Sequence, residues 1–358
     1  MKASSCFALL LAVGVAIIAA SGCGATGSGP ISSSIPEPPN PTPPAKWLYA
    51  DHYGTFYNYR LPLTSESKPI LTLPEWPGLG FTPQIAVDPS GKVAIASNAA
   101  IRIFDPPIVS FDASHVGLAI KLTPAITEIG PSGADLIDIE YDPNGNLWLF
   151  NNLGEEISEL RVPLSKKSTA ALTLAFGQPG TKTAGFSTLV QGRFDVNAAL
   201  YVYARATLRS RLFKISFPYA KPPSTLGVDV AQSDFVDSSQ YLPTSLNPAS
   251  VLLGQYTGHL HSPNPTSPPS PPVSVLGQFD EPLQPVKGLF PNNIVKTVVG
   301  ALTADAPRQL FYTLDAADGT LEAYPLPLQP HSKSTLSLPC LAGSGSCNGR
   351  SEHLFLAP

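Results

Sequence analysis

Two stretches of the chain share one pattern of apolar and polar positions. Residues 85–96 read I-A-V-D-P-S-G-K-V-A-I-A, and residues 139–150 read I-E-Y-D-P-N-G-N-L-W-L-F. Each is an apolar strand, a tight turn and a second apolar strand. Asp88 and Asp142 take the first turn position, Pro89 and Pro143 the second, and Gly91 and Gly145 the fourth, which is type I turn chemistry. Weaker copies begin at Asp195, Asn247 and Asp305, and P-P-A-K-W-L-Y-A aligns at the front if Pro43 takes the Asp position. The gaps between these anchors run from 45 to 58 residues. A third strand ends at a proline in 59–63, 104–108, 161–164, 216–219 and 325–328. A polar loop and a fourth strand follow, as at 69–73, 171–175 and 334–338. The predicted unit is a four-stranded meander.

Four strands per repeat of about 40–50 residues is the signature of propeller blades. The segment 46–358 divides into six blades, so the expected fold is an all-β propeller. Two β-sandwiches, or a seven-bladed wheel with one blade unseen, would use the same strands. The first blade lacks an inner strand, because residues 30–44 are proline-rich and cannot form a ladder. The chain end offers a spare one, His353-Leu354-Phe355-Leu356-Ala357. Placed beside Trp47-Leu48-Tyr49, it would complete blade one, close the wheel and bury Leu354, Phe355 and Leu356. Residues 261–272, H-S-P-N-P-T-S-P-P-S-P-P, read as a long loop of blade five at the third-strand turn.

Residues 80–96 and 135–150 resemble the NHL propellers and the six-bladed gluconolactonase/strictosidine-synthase-like propellers. For the gluconolactonase-like enzymes the resemblance implies a divalent metal in the central channel, held by Glu, Asn and Asp of inner strands. Asp138, Glu140, Asn151 and Asn152 are the residues best placed for such a role. The family's ligands do not carry over residue by residue. Moreover, Asp138 and Glu140 alternate with Ile137, Ile139 and Tyr141, the pattern of a half-exposed strand. No catalytic residue and no metal ligand is therefore assigned. His259 and His261 are two apart, so on a strand they would share a face and could begin a metal site. They adjoin the proline run without a third ligand, and solvated loop histidines are expected. The chain has no G-x-S-x-G elbow, H-E-x-x-H, Walker loop or C-x-x-C.

The N-terminus carries an address. Lys2 precedes an uncharged apolar stretch from Cys6 to Ala20, and Ala20-Ser21-Gly22-Cys23 follows. A charged start, a short apolar run and a small-residue exit make a secretory signal. The run is too short for the ~20 residues that span a bilayer. The exit resembles the bacterial lipobox, with Ala20 where Leu is commonest. That resemblance implies a signal peptide over 1–22 and a lipid on Cys23, which becomes the new N-terminus. Gly24 follows it rather than Asp, so by the same resemblance nothing marks the protein for inner-membrane retention. Residues 24–45 are Gly/Ser-rich, then Pro-rich, a tether between lipid and folded domain. A Pro-rich SH3-type ligand is disfavoured outside the cytoplasm.

Composition narrows the function. Proline is 40 of 358 residues, which argues against a mostly helical chain. The net charge is −4 with no basic run, which disfavours a nucleic-acid partner. Of four cysteines, Cys6 leaves with the signal and Cys23 takes the lipid, which leaves Cys340 and Cys347 to form a disulfide in an oxidising compartment. A metal-binding or reactive pair is the alternative for those two. The expected protein is a monomeric lipoprotein of the bacterial cell envelope, periplasmic or on the cell surface. Its propeller would bind or scaffold a protein, glycan or small molecule, with no cofactor. The alternative is a metal-dependent lactonase-like hydrolase or lyase with its site in the channel.

Overall fold

The computed structural model describes residues 44–52, 55–73, 84–96, 100–123, 136–151, 156–177, 184–185, 188–194, 198–206, 209–216, 219, 225–231, 238–244, 251–259, 272–280, 284–285, 299–305, 307–315, 319–326, 333–339 and 351–358. Among them every regular element is a strand, apart from one 3-10 turn at Ala113–His115. The strands are β1 (Trp47–His52), β2 (Thr55–Arg60) and β3 (Leu71–Leu73); β4 (Gln84–Val87), β5 (Val93–Ala96), β6 (Ala100–Phe104) and β7 (Val116–Lys121); β8 (Leu136–Tyr141), β9 (Leu147–Asn151), β10 (Glu156–Leu160) and β11 (Leu172–Ala175). Then follow β12 (Thr188–Phe194), β13 (Leu200–Ala206), β14 (Arg209–Ile215) and β15 (Thr225–Ala231); β16 (Ser238–Thr244), β17 (Val251–His259), β18 (Pro272–Asp280) and β19 (Gln284–Pro285); β20 (Val299–Asp305), β21 (Leu310–Asp315), β22 (Leu321–Pro325) and β23 (Leu336–Leu338); and finally β24 (Ser351–Ala357).

Each group of neighbours forms a four-stranded antiparallel sheet, and β24 crosses over to join β1–β3 in the order β24-β1-β2-β3. The first strands touch in a cycle: β24 with β4, β4 with β8, β8 with β12, β12 with β16, β16 with β20, and β20 with β24. Sheets arranged radially with their first strands innermost make an all-β propeller. Side-chain packing is described for five of the sheets, and the unit β16–β19 is described by its strand pairing alone.

The turns follow from their residues. Gly91 N–H donates to the Asp88 carbonyl at 2.9 Å and Asp88 N–H to that of Lys92 at 2.8 Å, while the Asp88 carboxylate accepts from Ser90 N–H and Lys92 N–H, each at 2.8 Å. Gly91 takes φ +94°, where an L side chain is strained. The Asp142 turn repeats this, and its carboxylate also accepts from Trp148 Nε1 at 3.2 Å. Prolines follow the third strands after Arg60, Phe104 and Leu160, and Pro62, Pro107 and Pro163 each have a cis peptide bond.

The inner and central strands of this fold are covered on both sides. On β9, Leu147 and Leu149 pack toward β4–β7 with Ile103, Ile120 and Ile139. Trp148 and Phe150 pack the other way, with Leu189, Val202 and Phe213 of β12–β14. This explains why β5 (V-A-I-A) and β9 (L-W-L-F) are apolar at successive positions.

The seam is closed as the pattern predicts. Trp47, Leu48 and Tyr49 pair with Ala357, Leu356 and Phe355. Tyr49 stacks on Phe355 at 5.0 Å and on Phe56 at 5.3 Å. Leu354 and Ala357 are buried, whereas Phe355 and Leu356 are half-buried, less than the expectation for all three. The ring of Pro358 lies over Gly91, where a Cβ would come within 2.8 Å of it. In the β16–β19 unit, Pro272 begins β18 rather than ending a loop, and the connection 260–271 joins the second and third strands. That connection, the signal segment, Cys23, the tether up to residue 43, Asn152, His261, Cys340 and Cys347 lie outside the described residues.

Candidate functional site

The innermost strand β8 reads L-I-D-I-E-Y and carries a bulge between Leu136 and Asp138. Matching register shifts fall between Leu189 and Gln191 of β12, between Val299 and Ala301 of β20, and at the Asp51/His52 pairing with β24. A bulge re-aims the side chains after it. Here Asp138 and Glu140 turn toward β12, while Ile139 and Tyr141 pack toward β4–β7.

Asp138 Oδ2 accepts from Arg193 Nη1 at 2.7 Å and from Gly192 N–H at 2.9 Å, and its Oδ1 accepts from Ile139 N–H at 3.0 Å. Glu140 Oε2 lies 3.1 Å from the same Arg193 nitrogen. The Asp138 side chain is 6% exposed, against 22% for Glu140 and 23% for Arg193. The half-exposed reading of this strand is thereby corrected. A blade's inner strand has two covered faces, so alternation marks two different neighbours rather than core and solvent.

Burial pushes both carboxyls up. For Asp138, burial outweighs the opposing pull of Arg193 and of the Gly192 and Ile139 amides. For Glu140, burial outweighs Arg193, and repulsion from Asp138 adds to it, which brings the group up to about 7. Burial acts to lower the Arg193 guanidinium, and the two carboxylates more than reverse this.

A raised carboxyl pKa means that the folded chain holds the proton more tightly than the unfolded one. Glu140 therefore makes stability fall as pH rises from its ordinary 4.5 to about 7. Glu140→Gln flattens that fall and leaves the variant more stable than wild type at pH ~8. Arg193→Met does the opposite: it leaves two buried carboxylates uncompensated, costs about 3 kcal/mol at the same pH, and recovers on acidification. Urea midpoints across the pH range check both. A Glu140→Gln profile parallel to wild type would refute the assignment.

Asn151 is buried on β9, paired with Leu136 of β8 and Glu156 of β10. His259 closes β17 opposite Pro272. Among the described residues no group of three or more His, Cys, Asp or Glu is placed to hold a metal. The donor set on β8 does not suit a divalent ion either, because Asp138 Oδ2 already holds the Arg193 guanidinium and an amide. Arg193 is the residue that sequence reasoning missed. Its signal was positional: it stands two residues before Asp195, as Glu140 stands two before Asp142. Overlaying the repeats therefore puts opposite charges on equivalent positions of adjacent inner strands.

No protein-family model matches the sequence, and no curated protein resembles it. Solved structures do resemble it. A protein of unknown function from Bacteroides caccae superposes with a TM-score of 0.52 at 12% identity, over 87% of this chain and 99% of that one. The periplasmic gluconolactonase PpgL of Pseudomonas aeruginosa gives 0.46 at 11% identity, over 86% and 81% of the two chains. The WD40 domain of Neurospora crassa Pan2 gives 0.42 at 12%, over 82% and 76%. At such identities the likeness is one of fold alone.

Proposed function

We propose that the protein is an exported lipoprotein of the bacterial cell envelope, anchored through Cys23 and the 24–45 tether. Its six sheets act as a six-bladed wheel whose channel binds a polar ligand. The cycle of contacts among the first strands supports the blade count. The Asp138–Glu140–Arg193 cluster carries the binding reading. It is a partly open group of two carboxylates and one guanidinium on adjacent inner strands, and ligand sites use a few placed polar groups in this way. A Cys340–Cys347 disulfide belongs to the same reading, as export brings both thiols into an oxidising compartment.

A second reading, a lactonase-like hydrolase or lyase, is favoured by one observation: Glu140 is held at about 7, the range of a general acid–base. A glycan and metabolite screen on the purified protein, together with a lactone panel, separates the two. The binding reading expects saturable binding that survives a chelator, weakens at least tenfold in Arg193→Gln, and yields no product. Chelator-sensitive lactone turnover would establish the second reading instead. For the anchor, Cys23→Ala moves the protein from salt-washed membranes to the soluble fraction, and retention equal to wild type would refute lipidation.

A further inference from the structure

The geometry points to a lipid-docking surface. The face on which both chain ends emerge lies against the anionic bilayer that holds the anchor, an inference that rests on the lipoprotein reading above. Strand direction defines this face. In each described meander the first and third strands run the same way, so the Asp turns and the loops after the third strands share one side of the wheel. Contacts bear this out: Val162 N–H donates to Asn146 Oδ1 at 3.2 Å, and Leu326 N–H to the Gln309 carbonyl at 2.8 Å. β24 runs with the other first strands and ends at Pro358 over the Gly91 turn. Lys46 N–H donates to the Ala357 carbonyl at 2.8 Å, so the chain coming from the tether joins the domain on this same face.

The face is charged against the trend of the molecule. The whole chain carries −4. Yet Lys46, Arg60, Lys68, Lys166, Lys167 and Lys333 are all exposed here, and none makes an ion pair among the described residues. Among the described residues, the exposed acids on this side without an ion pair are Glu66 and Asp112. Apolar side chains accompany the cations. Ile70, Val109 and Val162, the exposed large hydrophobics among the described residues at 56%, 53% and 49%, all lie in the third-to-fourth-strand loops of this face. Basic rims with isolated apolar contacts suit a headgroup layer.

The tether makes a weak contact sufficient. Even fully extended, a tether of this length reaches no more than ~80 Å, which keeps the face near the lipid at high effective concentration. Screening still confines the attraction to ~8–10 Å, so the contact is close and salt-sensitive. Each basic residue near an anionic surface strengthens partitioning about fivefold.

The test uses the unlipidated Cys23→Ala protein with vesicles. It should cosediment with vesicles of phosphatidylcholine mixed with phosphatidylglycerol, come off in high salt, and ignore pure phosphatidylcholine. The triple reversal Lys68→Glu/Lys166→Glu/Lys167→Glu should lower partitioning at least tenfold at an unchanged thermal midpoint. Lys121→Glu, an exposed lysine at the end of β7 on the opposite side, should leave it unchanged. No cosedimentation with the mixed vesicles, or equal binding by the triple variant, overturns the docking face; the former is what a face built for an acidic protein would give. Failure of the anchor reads out separately, as Cys23→Ala protein that stays on salt-washed cell membranes like wild type.

Discussion

Deleting residues 352–358 lowers the thermal midpoint of the propeller by about 10 °C or more, whereas deleting residues 24–40 leaves it unchanged. The reason is where β24 lies. It is the innermost strand of the first sheet, and it touches both β4 and β20. Without it, Trp47–His52 becomes an open edge at the centre of the wheel, with its backbone groups unpaired on that side. The side chains lost are Leu354, nearly fully buried, Phe355 and Leu356, half-buried, and Ala357. At about 1.5–3 kcal/mol for a fully buried large side chain, these sum to about 4 kcal/mol before the lost ladder is counted. Domains are stable by only about 5–15 kcal/mol, so the loss is a large fraction of the total. Scanning calorimetry of the two truncations decides it. Equal midpoints for the C-terminal truncation and the intact protein would mean that the seam carries no load.

The seam was legible because two facts met at it. A proline-rich start cannot supply a strand, and H-L-F-L-A at the far end had no other partner. The Asp-Pro-x-Gly turns were legible for a local reason, since Asp88 and Asp142 close their own turns with their own carboxylates. The ion cluster was not. Asp138, Glu140 and Arg193 lie on strands of different repeats, and the Arg193 repeat reads D-V-N-A-A-L-Y-V, with neither Pro nor Gly at its turn positions. Its strand β12 is placed by packing against β8 rather than by any local signal. The polar alternation of β8 misled for a related reason. Period two separates two faces, but only the packing of the wheel decides whether one of them is water.

Gly192→Ala costs at least 3 kcal/mol, the largest effect expected of any single methyl group in the described residues. A Cβ at Gly192 would fall 1.9 Å from Phe150 Cζ and 2.1 Å from Cε1, deep inside any possible contact distance. The ring cannot yield. Phe150 is fully buried, in a cluster with Trp148, Ile157, Phe176 and Phe213. Close-packed interiors transmit such a strain rather than absorb it. The backbone cannot yield cheaply either, because Gly192 N–H is held by Asp138 Oδ2 and its carbonyl accepts from Arg193 Nη1 at 2.6 Å. A shift of β12 away from β8 would therefore pull the guanidinium off both carboxylates and leave Asp138 buried without its partner. The same glycine thus seats the ring of one blade and aims the arginine of the next. Phe150→Leu in the Gly192→Ala background supplies the check, since the shorter side chain vacates the space that the methyl needs. The double variant should regain more than half of the lost stability in urea unfolding, although Phe150→Leu alone is destabilising. Additive losses would show that β12 is free to move, and that the contact between ring and glycine does not set the geometry of the cluster.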